Sequence, residues 1–235
     1  MTRQIFLDTE TTGLNAEGGD RIIEIGCIEM MGRRLTGDNR HYYLNPQRSS
    51  HPDALKVHGL TDEFLADKPL FEHVVDELVA YLAGAEVVIH NAAFDIGFLD
   101  KELERCGKPG IASQVAQITD SLLMAREMYP GKSNSLDALC KRLEVDNSNR
   151  TLHGALLDAG LLAEVYICMT RGQGSLVIDE GGAGEAGGVV ESIDLRAFDL
   201  PLLRPTEEEM VAHRAVLADI DKASRGKLLW QTDLA

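Results

Sequence analysis

The sequence predicts an α/β fold in which helices flank a mixed β-sheet. The first part of the chain contains closely spaced apolar runs separated by glycine-rich turns, a pattern typical of strands. Stretches with helical spacing then alternate with short apolar runs. With 235 residues, 44% of them hydrophobic, the chain can bury one sizeable core and a small appendage.

Three early strands are predicted at residues 4–7, 21–31 and about 40–44. Turn signals separate them at Gly13, Gly18-Gly19, Gly32 and residues 37–39. Because these strands follow one another with short connections, we expect them to pair as antiparallel hairpins.

Helices and strands alternate after this region. The first long helix is indicated by apolar residues at helical spacing from Phe71 to Leu82, and Gly84 ends it. The further elements are predicted as a strand at residues 86–90, a helix at 94–106, a short strand before Asp120, and helices at 121–128, 135–143 and 154–169. The resulting order βββαβαβα implies a mixed sheet with helices on its faces, the ribonuclease H-like type of α/β fold.

The composition changes after Arg171. Residues 181–188 are mostly glycine and predict a flexible linker, because they offer little apolar surface to offset the entropy of ordering them. An amphipathic stretch at residues 206–223 and Trp230 then favour a small interaction segment, with a loosely docked appendage as the alternative. We therefore expect a folded domain at residues 1–172, a motif and linker at 173–188 and an interaction tail at 189–235.

The charge of the chain argues against strong unaided binding to nucleic acid. The formal net charge is −15, whereas affinity for a phosphate backbone normally comes from Lys and Arg. Either the partner is not nucleic acid, or metal ions and a partner protein supply positive charge. The chain contains no apolar run of membrane-spanning length and no C-x-x-C pair, so we expect a cytoplasmic protein without membrane association.

Four acidic residues follow or flank predicted elements. Asp8 and Glu10 lie two apart at the end of the first strand, so both point to one face of the sheet. Asp95 comes after the strand at residues 86–90, and Asp158 lies on the last helix. An Asp-x-Glu pair alone is typical of ordinary surface groups. If all four meet, however, their repulsion disfavours the site unless cations occupy it.

Divalent cations of the hard class suit such a group. Carboxylate oxygens favour Mg²⁺ or Mn²⁺ over Zn²⁺, which prefers His and Cys. Two ions about 4 Å apart can activate water and stabilise a leaving oxygen, which is the chemistry of phosphodiester hydrolysis. The acids therefore predict a two-metal hydrolase, provided that they converge.

His153 precedes Asp158 by five residues and is predicted to lie just before the last helix. The helix dipole there favours neutral imidazole, whereas nearby carboxylates favour the protonated form. This balance suits a general base near neutral pH. The alternative is a helix cap or an ordinary surface histidine.

Three stretches of the chain resemble the exonuclease motifs of the DEDDh superfamily: Asp8-Thr-Glu-Thr-Thr-Gly13, His90-Asn-Ala-Ala-Phe-Asp95 and His153-Gly-Ala-Leu-Leu-Asp158. Ser133-Asn-Ser-Leu-Asp-Ala-Leu139 and Arg150-Thr-Leu-His-Gly-Ala further resemble the proofreading subunits of bacterial replicative polymerases. The resemblance covers residues 1 to about 172 and, more faintly, the tail.

The resemblance implies a role for each acidic residue. Asp8, Glu10 and Asp158 would bind two Mg²⁺ or Mn²⁺ ions, and Asp95 would complete the catalytic set. His153 would be the general base that takes a proton from the attacking water. Asp8, Glu10 and Asp158 would thereby also contact the substrate.

Two further substrate contacts are implied by the loop between the third strand and the first long helix. In the superfamily this loop touches the terminal nucleotide, which here indicates Asp53 and His58. Relatives often carry glutamate where Asp53 stands, and His58 has the alternative role of a structural turn residue. The implied substrate is a single-stranded or frayed DNA 3′ end.

Two partner sites are expected beyond the catalytic domain. Gln173, Leu176 and Ile178 resemble the short peptide by which bacterial replication proteins enter the groove of the sliding clamp, with a plain linker as the alternative. The tail at residues 189–235 is expected to bind the catalytic subunit of the polymerase.

The function implied is a 3′→5′ exonuclease that removes mismatched nucleotides from DNA 3′ ends beside a replicative polymerase. One alternative is a free-standing exonuclease acting on RNA or oligonucleotides. Another is a scaffold that keeps the fold without catalysis, against which the complete acidic set and His153 argue.

Overall fold

A computed structural model describes residues 2–148, 150, 152–171 and 205–224 of the chain. The chain divides into two compact units, Met1–Val177 and Ile178–Ala235. Each unit is described separately below.

The first unit is built on a six-stranded mixed sheet. The strands are β1 (Arg3–Thr11), β2 (Ile22–Met31), β3 (Arg34–Leu35), β4 (Arg40–Tyr43), β5 (Glu86–Ile89) and β6 (Gln117–Asp120). They are arranged in the order β3-β2-β1-β5-β6, and β4 also pairs with β2. The pairs β1–β2 and β2–β4 are antiparallel, whereas β1–β5 and β5–β6 are parallel.

The helices of this unit confirm the predicted alternation after the early strands. They are α1 (Pro52–His58), α2 (Asp62–Leu65), α3 (Phe71–Leu82), α4 (Ala92–Arg105), α5 (Ser121–Met128), α6 (Leu136–Leu143) and α7 (Ala155–Met169), with a short 3-10 helix at Ile111–Ser113. The two short helices α1 and α2 were not predicted, and neither was the two-residue strand β3.

Apolar side chains of β1 alternate between the two faces of the sheet, as a period of two requires. Ile5 and Leu7 are fully buried in a core that includes residues of α3 and α4. Phe6 is fully buried in a second core that includes residues of α5, α6 and α7. The predicted sheet with helices on its faces is therefore confirmed as a three-layer arrangement.

Helix α7 approaches the sheet closely at Gly26 of β2. A Cβ atom at Gly26 would lie 2.2 Å from the carbonyl carbon of Ala155 and 2.2 Å from the nitrogen of Leu156. Gly26 also pairs with Asp8 across the β1–β2 ladder. The missing side chain thus lets the first turn of α7 contact the strand pair that carries the predicted acids.

The second unit is described only at residues 205–224, where helix α8 (Glu207–Ser224) agrees with the amphipathic stretch predicted at 206–223. Thr206 and Glu209 form a capping box: the Glu209 nitrogen donates to Thr206 Oγ1 at 3.3 Å and the Thr206 nitrogen donates to Glu209 Oε2 at 2.7 Å. The predicted clamp motif at Gln173, Leu176 and Ile178 lies outside the described residues, as does most of the predicted tail.

Within the described ranges, the helices include none that combines the length and the apolar character needed to cross a membrane.

Candidate active site

Three elements supply the four acidic residues that the sequence singles out. Asp8 and Glu10 lie on β1, which extends to Thr11, so both acids belong to the strand itself. They follow Phe6 at a period of two and therefore share the face on which α7 packs. Asp95 lies in the first turn of α4 and Asp158 in the first turn of α7.

Asp95 is held against β1 by hydrogen bonds from one residue. The Thr9 nitrogen and Thr9 Oγ1 donate to Asp95 Oδ1 at 3.1 and 2.7 Å. The sharp turn from β5 into α4 passes through Asn91, which has a left-handed backbone with φ of 68°. Asp120, at the end of β6, accepts hydrogen bonds from the nitrogens of Asn91 and Ala92 and fixes this turn.

Asp158 is bonded to an arginine from the loop that precedes α7. Arg150 Nε donates to Asp158 Oδ1 at 2.5 Å, and Arg150 Nη2 donates to Oδ2 at 2.7 Å. Arg150 Nη1 lies 2.9 Å from each carboxylate oxygen of Asp137, on α6. The arginine therefore bridges the first turns of α6 and α7.

His153 lies just before α7, where the sequence predicts it, because the helix begins at Ala155 with Gly154 as its N-cap. The His153 nitrogen donates to the Val57 carbonyl at 3.0 Å, which ties the loop to α1. The imidazole is 45% exposed, and its Nδ1 lies 3.8 Å from Asp158 Oδ2.

The acidic group carries the electrostatic signature of mutual repulsion in a buried site. Burial raises the pKa of Asp8 well above its usual value, and the carboxylates of Asp95 and Glu10 raise it further. Burial raises the pKa of Glu10 to about 8, with added contributions from Asp158 and Glu24. Burial also raises the pKa of Asp95 to about 7, although its hydrogen bonds to Thr9 act in the opposite direction.

The donor atoms fit a divalent cation. One carboxylate oxygen each from Glu10 and Asp158 and one ring nitrogen of His153 lie within 4.8 Å of one another. Oxygen donors dominate the group, which favours Mg²⁺ or Mn²⁺ over Zn²⁺. Cation binding would also remove the repulsion that raises the carboxylate pKa values.

These residues line one face of an open cavity of about 660 Å³. Arg126 and Lys132, both exposed, lie at the same cavity and bring positive charge to it. Phe94 is a further lining residue, and its ring packs against Phe98 with a centroid separation of 4.9 Å. The cavity thus combines an acidic wall, two exposed cations and an aromatic ring.

The structure places Asp53 and His58 on α1, outside the lining of this cavity. The Asp53 side chain is 95% exposed and pairs with Lys56 at 2.8 Å. His58 is 4% exposed, its Nδ1 accepts from the Leu60 nitrogen at 3.0 Å, and burial lowers its pKa. His58 Nε2 is buried and, among the described residues, makes no hydrogen bond.

Two residues of the site were missed by the sequence reasoning. Glu24 is buried directly opposite Glu10 in the β1–β2 ladder, and its Oε1 lies 2.7 Å from His41 Nε2. A signal for Glu24 existed, since it is one of two charged residues, with Glu29, in the otherwise apolar run of β2. Arg150 belongs to a quoted motif, but nothing in its spacing indicates a bond to Asp158.

The chain matches the family model RNase_T, described as exonuclease, at residues 5–166. It is 52% identical over 241 residues to the DNA polymerase III subunit epsilon of Pasteurella multocida (strain Pm70), with 100% of this chain and 95% of that protein covered. The subunit of the same name from Escherichia coli (strain K12) is also 52% identical over 241 residues, with 98% of each chain covered.

Solved structures share the fold. Exonuclease X in complex with 5′ overhanging duplex DNA is 27% identical with a TM-score of 0.55, over 73% of this chain and 92% of that one. Escherichia coli exonuclease I in complex with a dT13 oligonucleotide is 18% identical with a TM-score of 0.64, over 74% of this chain and 42% of that one. The chain therefore belongs to the exonuclease family and, within it, to the DNA polymerase III epsilon subunits, which act as proofreading 3′→5′ exonucleases.

Proposed function

We propose that this exonuclease hydrolyses the terminal phosphodiester of DNA 3′ ends with two Mg²⁺ or Mn²⁺ ions bound by Asp8, Glu10 and Asp158, while Asp95 completes the acidic set. The observation that carries the proposal is the convergence of buried carboxylates whose pKa values are raised. When bound, the ions orient the scissile phosphate and offset the negative charge that develops on it.

His153 is the general base of this mechanism. Its imidazole is 45% exposed and lines the cavity, so the ring can accept a proton from the attacking water. The bond from its main-chain nitrogen to Val57 fixes the loop that carries it. Asp158 lies close enough to stabilise the imidazolium that forms.

The cavity accommodates the last nucleotides of a single strand. Arg126 and Lys132 can pair with phosphates, and Phe94 can contact a base. These two cations give the cavity positive charge for binding phosphates, although the chain as a whole has a net charge of −15. Single-stranded or frayed ends are favoured, because the acids line a concave site that a paired terminus enters only after its bases separate.

Contacts of Asp53 and His58 with the terminal nucleotide are part of the same proposal. The unpaired, buried Nε2 of His58 supports it, since a buried polar atom without a partner is costly. A nucleotide bound against α1 would supply a partner for this atom once the groups that cover it move aside. Asp53 is exposed on the first turn of that helix and is available for the same purpose.

The partners of this chain are the polymerase, through the tail at residues 189–235, and the sliding clamp, through Gln173, Leu176 and Ile178. The relatives named as polymerase III subunits match essentially the whole chain, tail included. On α8, Val211, Val216 and Ile220 are exposed, as an unpartnered docking segment would require. A free-standing exonuclease acting on RNA would leave the similarity of the tail without a reason.

A pair of nuclease assays on two substrates tests the proposal. Release of nucleotides from a 3′-mismatched primer is compared with release from an RNA oligomer of equal length, in Mg²⁺, with and without the polymerase catalytic subunit. Preference for the mismatched DNA that increases when the polymerase is added supports it. Equal rates on both substrates, unaffected by the polymerase, would favour a free-standing nuclease.

A further inference from the structure

Arg150 occupies the acidic site through a geometry that uses both oxygens of one predicted metal ligand. Its Nε and Nη2 donate to the two oxygens of Asp158 at 2.5 and 2.7 Å, a parallel fork of charge-assisted bonds. The arginine side chain is 8% exposed and the Asp158 side chain 4%. This is a desolvated ion pair inside the catalytic group.

The ion pair offsets the destabilising effect of burying the Asp158 carboxylate. A buried carboxylate without a partner is strongly destabilising. Arg150 satisfies Asp158, and its charge also opposes the rise in the pKa values of Asp8 and Glu10. One guanidinium therefore acts on three of the acids that the proposed function assigns to metal binding.

A divalent cation and this guanidinium compete for the same oxygen lone pairs of Asp158. We propose that Arg150 is a resident counterion of the acidic site, which stabilises the cation-free enzyme and must release Asp158 when a divalent cation binds. Asp137 holds Nη1 of the same side chain at 2.9 Å and is not one of the proposed ligands. The guanidinium can therefore swing away from Asp158 while it stays beside the cavity that it lines.

This proposal about Arg150 rests on the proposed metal site. It predicts that Arg150→Gln has opposite effects on metal affinity and on stability. Without the competitor, Mn²⁺ should bind about tenfold more tightly, the equivalent of losing one strong charge-assisted interaction. In chelator the same variant should melt roughly 3 to 8 °C lower, because Asp158 loses its buried partner. Calorimetric titration with Mn²⁺ and thermal melting in EDTA measure these quantities without reference to catalysis.

Arg142→Gln is the matched control. Arg142 also bonds to two partners, Asn134 Oδ1 at 3.1 Å and the Ser133 carbonyl at 2.7 Å, and its guanidinium lies 4.7 Å from the Tyr129 ring centroid. It has no bond to Asp158. Its replacement should leave the Mn²⁺ affinity within about twofold of the wild type, since its partners include none of the proposed metal ligands.

The outcomes separate this inference from the proposed function. If the wild-type chain binds no Mn²⁺, the metal site itself is wrong. If the wild type binds Mn²⁺ and Arg150→Gln binds it equally or more weakly, Arg150 supports the site and does not compete for it, and the inference is overturned.

Arg150→Lys covers the case in which the glutamine variant does not fold. Lysine keeps the positive charge but cannot form the two-pronged bond, so Mn²⁺ affinity should rise by about threefold. An affinity equal to that of the wild type would overturn the inference as well.

Discussion

At the scale of one residue, Glu10 shows how the acidic group lowers the stability of the folded protein. The residue is 8% exposed, lies opposite Glu24 in the β1–β2 ladder and shares β1 with Asp8. Burial raises its pKa to about 8, so at neutral pH the folded chain binds a proton that the unfolded chain would release. The group therefore favours cation binding at the expense of cation-free stability.

Replacement of Glu10 should separate stability from catalysis. Between the unfolded pKa near 4.5 and the folded pKa of about 8, the folded state binds more protons, so its stability falls as pH rises through this window. Glu10→Gln should remove that penalty and stabilise the protein in EDTA by roughly 1 to 3 kcal/mol at pH 8, with a smaller gain at pH 5. Denaturant unfolding at both pH values measures the gain.

The same variant should lose hydrolysis and the stabilisation by Mg²⁺. Asp8→Ala should share both losses. It should also remain folded in EDTA, because the substitution removes one carboxylate from a group of carboxylates that repel one another. Normal turnover in either variant would sink the assignment of these acids as metal ligands.

His153→Ala should reduce the rate by about 10²- to 10⁴-fold with little effect on folding, because the imidazole transfers a proton and is largely exposed. Mn²⁺ affinity should stay close to that of the wild type. His73→Ala, on an exposed position of α3, is the control and should leave both quantities unchanged. A loss of Mn²⁺ affinity as large as that of Asp158→Ala would show that His153 is a ligand and not the base.

Residues differ in how far the sequence predicts them. The period of two on β1 places Asp8 and Glu10 on one face, and the start of α7 places His153 before the helix, as local rules require. The bond between Arg150 and Asp158 follows from the path of a loop without regular structure, for which no spacing rule exists. Long-range contacts of this kind need the fold.

At the scale of elements, the contact between β2 and α7 decides where Asp158 lies. Gly26→Ala would place a methyl group 2.2 Å from backbone atoms of Ala155 and Leu156, so the helix must shift. We expect a loss of about 1 to 3 kcal/mol from overpacking and a fall in rate of about 100-fold from the misplaced carboxylate. Thermal melting and nuclease assays on single-stranded DNA measure the two effects.

Gly160→Ala on the same helix is the control for this change. A Cβ at Gly160 meets nothing within 4 Å, and the position is inside α7. The variant should be as stable as the wild type or more stable by about 0.5 to 1 kcal/mol, with normal activity. If Gly26→Ala behaves like Gly160→Ala, the close approach of helix and strand does not position Asp158.

The sequence predicts long elements better than short ones. Helix α3 agrees with its predicted bounds, since six apolar residues recur at helical spacing over three turns. Helices α1 and α2, with 7 and 4 residues, are too short to show a period, although Pro52 marks the start of α1. Strand β1 is longer than predicted, because its second half is polar and is buried by the active site and not by apolar packing.

At the scale of the whole molecule, the negative net charge and the tail together explain how the chain could reach DNA with the help of a partner. A net charge of −15 weakens independent binding to DNA, and the two exposed cations of the cavity, Arg126 and Lys132, act only on a strand that has already entered. A partner that holds the primer nearby can supply the missing affinity. Tethering to such a partner is what the linker predicted at residues 181–188 would permit.

Joint replacement of Gln173, Leu176 and Ile178 by alanine should weaken binding to the sliding clamp by about tenfold or more, since such motifs bind through a few anchors. Hydrolysis of free single-stranded DNA should be unchanged, because the motif follows the last helix of the catalytic unit. Surface plasmon resonance against the clamp measures the first quantity. Equal clamp binding by variant and wild type would leave this segment as a plain linker.

Truncation after Gly188 tests the role of the tail. The remaining chain keeps every residue of the proposed active site and should degrade single-stranded DNA in Mg²⁺ at the rate of the full chain. It should no longer co-elute with the polymerase subunit, because Leu195, Phe198 and Trp230 are lost as candidate anchors, and large apolar residues dominate most interfaces. Its advantage on mismatched primers should disappear with the tether, which a flexible linker would set at an effective concentration of about 1 mM. Undiminished co-elution of the truncated chain would place the polymerase-binding surface on the catalytic unit instead.

A full chain carrying Val216→Asp on α8 is a finer probe of the same surface. Val216 is 57% exposed, so its replacement should impair docking to the polymerase without loss of folding.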